Sequence, residues 1–261
     1  MIPLKKLSII ACALATLLYA NIGSAQTITL TETTKLVPVG WSVAQDVKFQ
    51  KNTTAQLSPE GLVISGTLDS DTYLRPTGWR SIINDFYYAD AGPAVNPFPF
   101  WDPYDDFDDM VPVNASAMLV PTYKHVRYKG DTPIVFASDG TVISGTLDEY
   151  VTLNLQKGKY GFVTFKAGNV LTFYQTGAVQ TATLANDTSL RPVGWENNTN
   201  NGNAGFVKFK GGTKISFTQD GYVTNGTLDE ATTWQNPNGS SVTLPPKTVV
   251  SFTTTGIQVA E

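Results

Sequence analysis

An aromatic residue, a glycine twelve positions on and a Thr-Leu pair six further recur down this chain. They are Phe49, Gly61, Thr67-Leu68; Tyr128, Gly140, Thr146-Leu147; Phe165, Gly177, Thr183-Leu184; and Phe209, Gly221, Thr227-Leu228. A fifth copy runs from Leu244 to Gly256 and meets the end of the sequence before its Thr-Leu. Fixed spacing with variable surface residues marks a structural repeat, because each unit must present the same apolar stripe to its neighbours.

A second segment keeps the same frame. Thr29-Leu30 leads to Leu36-Val37-Pro38-Val39-Gly40-Trp41, Thr67-Leu68 to Leu74-Arg75-Pro76-Thr77-Gly78-Trp79, and Thr183-Leu184 to Leu190-Arg191-Pro192-Val193-Gly194-Trp195. Weaker copies place unit starts at 29, 67, 112, 146, 183 and 227, with spacings of 38, 45, 34, 37 and 44. Six units of about forty residues therefore fill one repeat domain over 26–261.

Within a unit the apolar period is two. Val207 and Phe209 face one way and Lys208 and Lys210 the other, and Ile215 and Phe217 repeat the alternation. Asp220-Gly221, Asp139-Gly140 and Glu60-Gly61 mark hairpin turns, and Lys-Ala-Gly (166–168) and Lys-Gly-Gly (210–212) the turns before them. The expected unit is a three-strand meander closed by the Leu-x-Pro-x-Gly-Trp corner, where proline ends the ladder. No sustained 3.6-residue period occurs beyond the N-terminus. The expected fold is all-β, a repetitive antiparallel hairpin and meander array of β-solenoid type, with a six-bladed β-propeller as the alternative.

Lys5 and Lys6, the apolar run Leu7 to Ala20 and Gly23-Ser24-Ala25 read as a secretory signal peptide over residues 1–25. The run is too short for a membrane span, so no membrane insertion is expected after cleavage. Cleavage removes Cys12, the only cysteine, so packing and backbone pairing alone hold the exported chain. Loss of Lys5 and Lys6 takes the formal charge from −4 to −6, which argues against nucleic acid as a partner. The expected location is secreted, periplasmic or cell-surface, and the compact leader has a bacterial style.

Residues 80–111 abandon the repeat. They carry Phe100, Trp101, Asp102, Pro103, Tyr104, Asp105, Asp106, Phe107, Asp108 and Asp109. Loops on rigid scaffolds collect binding residues. Trp101 and Tyr104 could stack sugar rings while Asp102, Asp105, Asp106, Asp108 and Asp109 accept their hydroxyls. Asp102, Asp105, Asp106 and Asp108 could also hold Ca²⁺, a hard ion that takes carboxylate oxygens, although the spacing is not that of an EF-hand. The plainer reading is a solvated acidic loop. No other cofactor is indicated.

His125 is the only histidine, which excludes a two-histidine metal site and leaves any serine triad dependent on it. Arg75 and Arg191 lie four residues after Asp71 and Asp187 and read as surface pairs across a turn. Trp41, Trp79 and Trp195 recur at one position, either as inter-unit core or as a glycan-binding line.

Gly212-Thr213-Lys214-Ile215-Ser216-Phe217 through Gly221 to Gly226, with the recurring Gly-Trp pairs, resembles the glycine frame of choline-binding and glucan-binding cell-wall repeats. The resemblance implies stacked β-hairpins and a wall polymer as partner. The family's aromatic ligand cage is not matched, since Lys214, Ile215 and Ser216 stand in its slots. The expectation is an exported, non-catalytic module that binds an envelope or extracellular glycan. The alternative is a glycan-acting hydrolase or lyase using carboxylates of the 102–109 cluster.

Overall fold

The computed structural model describes residues 25–42, 45–79, 125–156, 161–201 and 204–260. In chain order the strands begin with β1 (Gln26–Thr29), β2 (Thr34–Leu36), β3 (Val47–Phe49), β4 (Thr54–Leu57), β5 (Val63–Thr67), β6 (Thr72–Leu74) and β7 (Val126–Tyr128). They continue with β8 (Pro133–Phe136), β9 (Val142–Thr146), β10 (Val151–Gln156), β11 (Gly161–Phe165), β12 (Val170–Phe173), β13 (Val179–Thr183) and β14 (Thr188–Leu190). A 3-10 turn at Trp195–Asn201 precedes β15 (Val207–Phe209), β16 (Lys214–Phe217), β17 (Val223–Thr227), β18 (Thr232–Gln235), β19 (Ser241–Leu244), β20 (Val249–Thr253) and β21 (Gly256–Val259).

Eleven strands form one sheet in the order β1-β4-β5-β8-β9-β12-β13-β16-β17-β20-β21, and the other ten form five two-stranded hairpins. Every pairing in the sheet is antiparallel. Connections therefore alternate between the two ends of the strands. Tight turns such as 58–62 and 137–141 close one end; at the other, the chain leaves the sheet to form β2–β3, β6–β7, β10–β11, β14–β15 or β18–β19 and then returns. These hairpins make a second layer over one sheet face. The all-β repetitive array expected from the sequence is present, and its sheet runs on from strand to strand instead of breaking into four-stranded blades.

The repeat spacing has a mechanical origin. The glycine is the left-handed residue of each tight turn, with φ of +81° to +91° at Gly61, Gly140, Gly177 and Gly221. The leucine of Thr-Leu is buried and binds the next layer-crossing turn twice. Leu147, for example, donates to Asn169 O at 3.0 Å and accepts from Gly168 N at 2.8 Å. The aromatic lies on a neighbouring strand where a side chain is nearly absent: a Cβ on Gly66, Gly145 or Gly226 would come within 2.6, 2.5 and 2.6 Å of the rings of Phe49, Tyr128 and Phe209. Ala182 takes this place beside Phe165. Ile28 takes it on the edge strand β1.

Two local expectations need correction. The three-strand meander is split between layers: β15 pairs with β14 above the sheet, while β16 and β17 lie within it. The turn at 210–213, with Gly212 at φ +74°, carries the chain from one layer to the other. Nor does proline end the pairing. Pro38, Pro76 and Pro192 form parallel bridges to Val63, Val142 and Val223. The residues on either side make the bonds, with Val63 N–H donating to Val37 O at 2.8 Å and Val39 N–H to Val63 O at 2.9 Å, so the missing proline donor costs nothing.

The corner then reaches one hairpin further. Trp41 donates through Nε1 to Gly140 O at 2.7 Å and packs edge-on to Phe136 at 6.3 Å. Gly78 and Gly177 meet backbone to backbone, so closely that a Cβ on Gly78 would lie 2.4 Å from Gly177 Cα. Each corner thus ties its own hairpin to the next two tight turns.

Candidate functional site

Trp101, Asp102, Tyr104, Asp105, Asp106, Asp108 and Asp109 lie outside the described residues. Their segment joins β6 to β7, which pair directly as Thr72↔Tyr128, Tyr73↔Arg127 and Leu74↔Val126. It leaves after Trp79, which is 7% exposed, at the corner that faces the tight turns, and it returns at His125. The other second-layer hairpins differ in length at this same place. Trp41 to Val47 is short, Trp195 to Val207 contains the 3-10 turn, and both flank the same Gly-Trp corner.

The described tryptophans serve packing. Arg75 lies over the Trp79 ring at 4.3 Å; Arg191 lies over Trp195 at 4.0 Å and Phe206 at 4.6 Å. The pairing of these arginines with Asp71 and Asp187 across the turn is replaced by contacts across the β6–β7 and β14–β15 hairpins. Asp71 accepts from Arg127 Nη2 at 3.0 Å and from Gly130 N–H at 2.8 Å, and Asp187 accepts from Gly211 N–H at 2.7 Å.

The outer surface of the second layer is ionic. Arg127 Nε also meets Asp148 at 3.0 Å, and Lys208 meets Asp229 at 2.9 Å. Desolvation pulls the Arg127 guanidinium down, but Asp148, Tyr73, Asp71 and Glu149 together outweigh it and hold the group above its ordinary range. The hydrogen bond to Lys208 holds the Asp229 carboxyl below its ordinary range. In the third hairpin, Thr164 stands where Arg127 and Lys208 stand, and Ala185 stands where Asp148 and Asp229 stand. The pair is lost as a pair.

The opposite surface, the solvent face of the sheet, has a different chemistry. The register aligns one outward residue from every strand in a single row: Thr27, Gln56, Ser65, Val135, Ser144, Thr172, Thr181, Ser216, Asn225, Ser251 and Gln258. Beside it runs a second row built from the pairs Thr29↔Thr54, Thr67↔Pro133, Thr146↔Val170, Thr183↔Lys214 and Thr227↔Val249. Val170 is 52% exposed and Val249 47%, so the face is open to solvent. Lys214 is the one charged residue in the eleven strands, all of which are described.

Some row members satisfy one another. The Thr172 and Thr181 hydroxyls are 2.7 Å apart, and Asn225 donates to Ser251. Ser65, Ser144 and Ser216 make no side-chain hydrogen bond among the described residues, so each hydroxyl has a donor and acceptor capacity that the described side chains do not use. The strands of this face offer hydrogen-bonding groups, with Lys214 their one ionisable side chain. Among the described residues no cluster of metal-ligating side chains occurs.

The sequence carries a trace of this row. Thr27-Ile28-Thr29-Leu30, Ser65-Gly66-Thr67-Leu68, Ser144-Gly145-Thr146-Leu147, Thr181-Ala182-Thr183-Leu184 and Asn225-Gly226-Thr227-Leu228 share outward polar residues at two positions. The Thr-Leu pair is legible as a spacing mark, but the sequence alone does not show that its outward threonine belongs to a surface. No family model matches the chain, and no curated protein or solved structure shows significant similarity to it.

Proposed function

We propose that the chain is an exported, non-catalytic repeat protein that binds a glycan of the cell envelope or extracellular space through the solvent face of its sheet. The observation that carries this reading is the uncharged row of hydroxyl and amide groups contributed by ten of the eleven strands, all but β8 with its Val135. Sugars present dense hydroxyls, and a fixed array of partly unsatisfied donors and acceptors complements them. The signal-like leader and the resemblance to wall-binding repeats point the same way.

The test is retention on immobilised glycans, in calcium and in EDTA, for the parent and for Ser65→Glu/Ser144→Glu/Ser216→Glu. No two of these positions face each other directly across strands, so the triple variant is expected to keep its fold. Retention of the parent on at least one glycan and its loss in the folded variant support the proposal. A parent retained on none, or a variant retained equally, overturns it.

A second surface is favoured by the unequal hairpin lengths at the corner edge, since insertions in repeat proteins gather on a binding face. On this reading the groups that bind the ligand or calcium are the aromatic and carboxylate residues of 101–109, which lie outside the described residues. Replacing 81–123 with a short turn, on the pattern of Ser42 to Asp46, abolishes binding on this reading and leaves it intact on the first.

A further inference from the structure

From the same sheet face, and resting on the glycan reading above, we infer that the ligand is a neutral polysaccharide chain that lies across the strands, along the row. Direction follows from the shape of the array. Each strand gives only about two outward polar positions, so a chain laid along a strand meets two groups. A chain laid across the strands meets a hydroxyl or amide at every step except Val135. Strands are spaced about 4.7–4.9 Å apart, close to the advance of one hexose in an extended chain, so the ladder spans roughly ten sugar units.

Charge chooses the class of polymer. The cations Arg127 and Lys208, and the carboxylates Asp71, Asp148 and Asp229 that hold them, stand on the second layer. The sheet face has Lys214 alone, so it gives an anionic polymer no ladder of cations to bind. No aromatic side chain of the eleven strands stands on this face, because Phe136, Phe173, Phe217 and Phe252 all point into the core. Stacking on single sugar rings is therefore absent, and affinity must accumulate from many hydrogen bonds along the chain.

The experiment measures binding of neutral β-linked glucose and N-acetylglucosamine oligomers, from about two to about ten units, to the mature full-length protein at low and high salt. Affinity is expected to rise roughly tenfold for each pair of added hydrogen bonds until the chain spans the ladder, and to change little with salt. Gln56→Ala, near one end of the row, should weaken the longest oligomers while leaving the shortest unchanged. Short oligomers that bind as tightly as long ones, or a preference for an anionic polymer that salt abolishes, overturn the inference while leaving glycan binding in place. Absence of binding to any glycan removes the reading on which it rests.

Discussion

Tyr128 occupies the place that Phe49, Phe165 and Phe209 fill in the other units. Its ring lies over Gly145 as Phe49 lies over Gly66 and Phe209 over Gly226. The side chain is fully buried, and its hydroxyl has no hydrogen-bond partner among the described residues. An unsatisfied buried hydroxyl costs about 1–3 kcal/mol, so Tyr128→Phe should stabilise the protein by about that amount. For a chain of this length the melting temperature should rise by about 2–4 °C per kcal/mol. Thermal and urea unfolding measure both quantities, and the urea slope should not change.

The same substitution has a pH signature. Burial raises the Tyr128 phenol far above its ordinary range. The unfolded chain ionises near pH 10 and the folded one does not, so this group's contribution is intact below about pH 10 and declines above it. Tyr128→Phe should flatten that decline. A variant less stable than its parent by about 1 kcal/mol or more would show that the hydroxyl is satisfied, and the reasoning would be wrong.

Gly78→Ala should cost about 2–4 kcal/mol, because the new Cβ meets the Gly177 backbone and the residue sits at φ +72°; an unchanged urea midpoint would refute the close contact. Lys247 holds φ +66° in the turn where the equivalent units have Gly168 and Gly212, so Lys247→Gly should gain about 1 kcal/mol in the same assay. The Asp229 carboxyl lies below its ordinary range because Lys208 bonds it. Its contribution is therefore present above the ordinary carboxylate pKa and lost as pH falls through the lower folded value. Lys208→Thr/Asp229→Ala, which reproduces the natural Thr164 and Ala185 combination, should remove that acid-side component from the pH dependence of urea unfolding and leave the stability at neutral pH close to the parent's.

The spacing was legible because two physical demands are absolute at the residues that show it. A left-handed turn position wants glycine, hence Gly61, Gly140, Gly177 and Gly221, and a fully buried joint wants leucine, hence Leu68, Leu147, Leu184 and Leu228. The layer change was not legible. Lys210-Gly211-Gly212-Thr213 reads as an ordinary turn, and alternation in Val207-Lys208-Phe209 is the same whether the next strand lies beside it or beneath it. The polar row was hidden for a related reason. Period two tells which residues share a face of one strand but not which strand stands alongside, and Ser65 finds Val135 from seventy positions away. Sequence proximity favours Asp71 as the partner of Arg75, whereas the β6–β7 pairing brings Arg127 to Asp71.

Everything proposed for the sheet face requires that its eleven strands run open from β1 to β21. With Cys12, the only cysteine of the chain, replaced by serine, labels introduced at Thr27→Cys and Gln258→Cys, the two ends of the row, report that dimension alone. Ten steps at strand spacing predict a separation on the order of 50 Å by double electron–electron resonance. A ring would bring the first and last strands within hydrogen-bonding reach, and a correspondingly short distance would contradict the account.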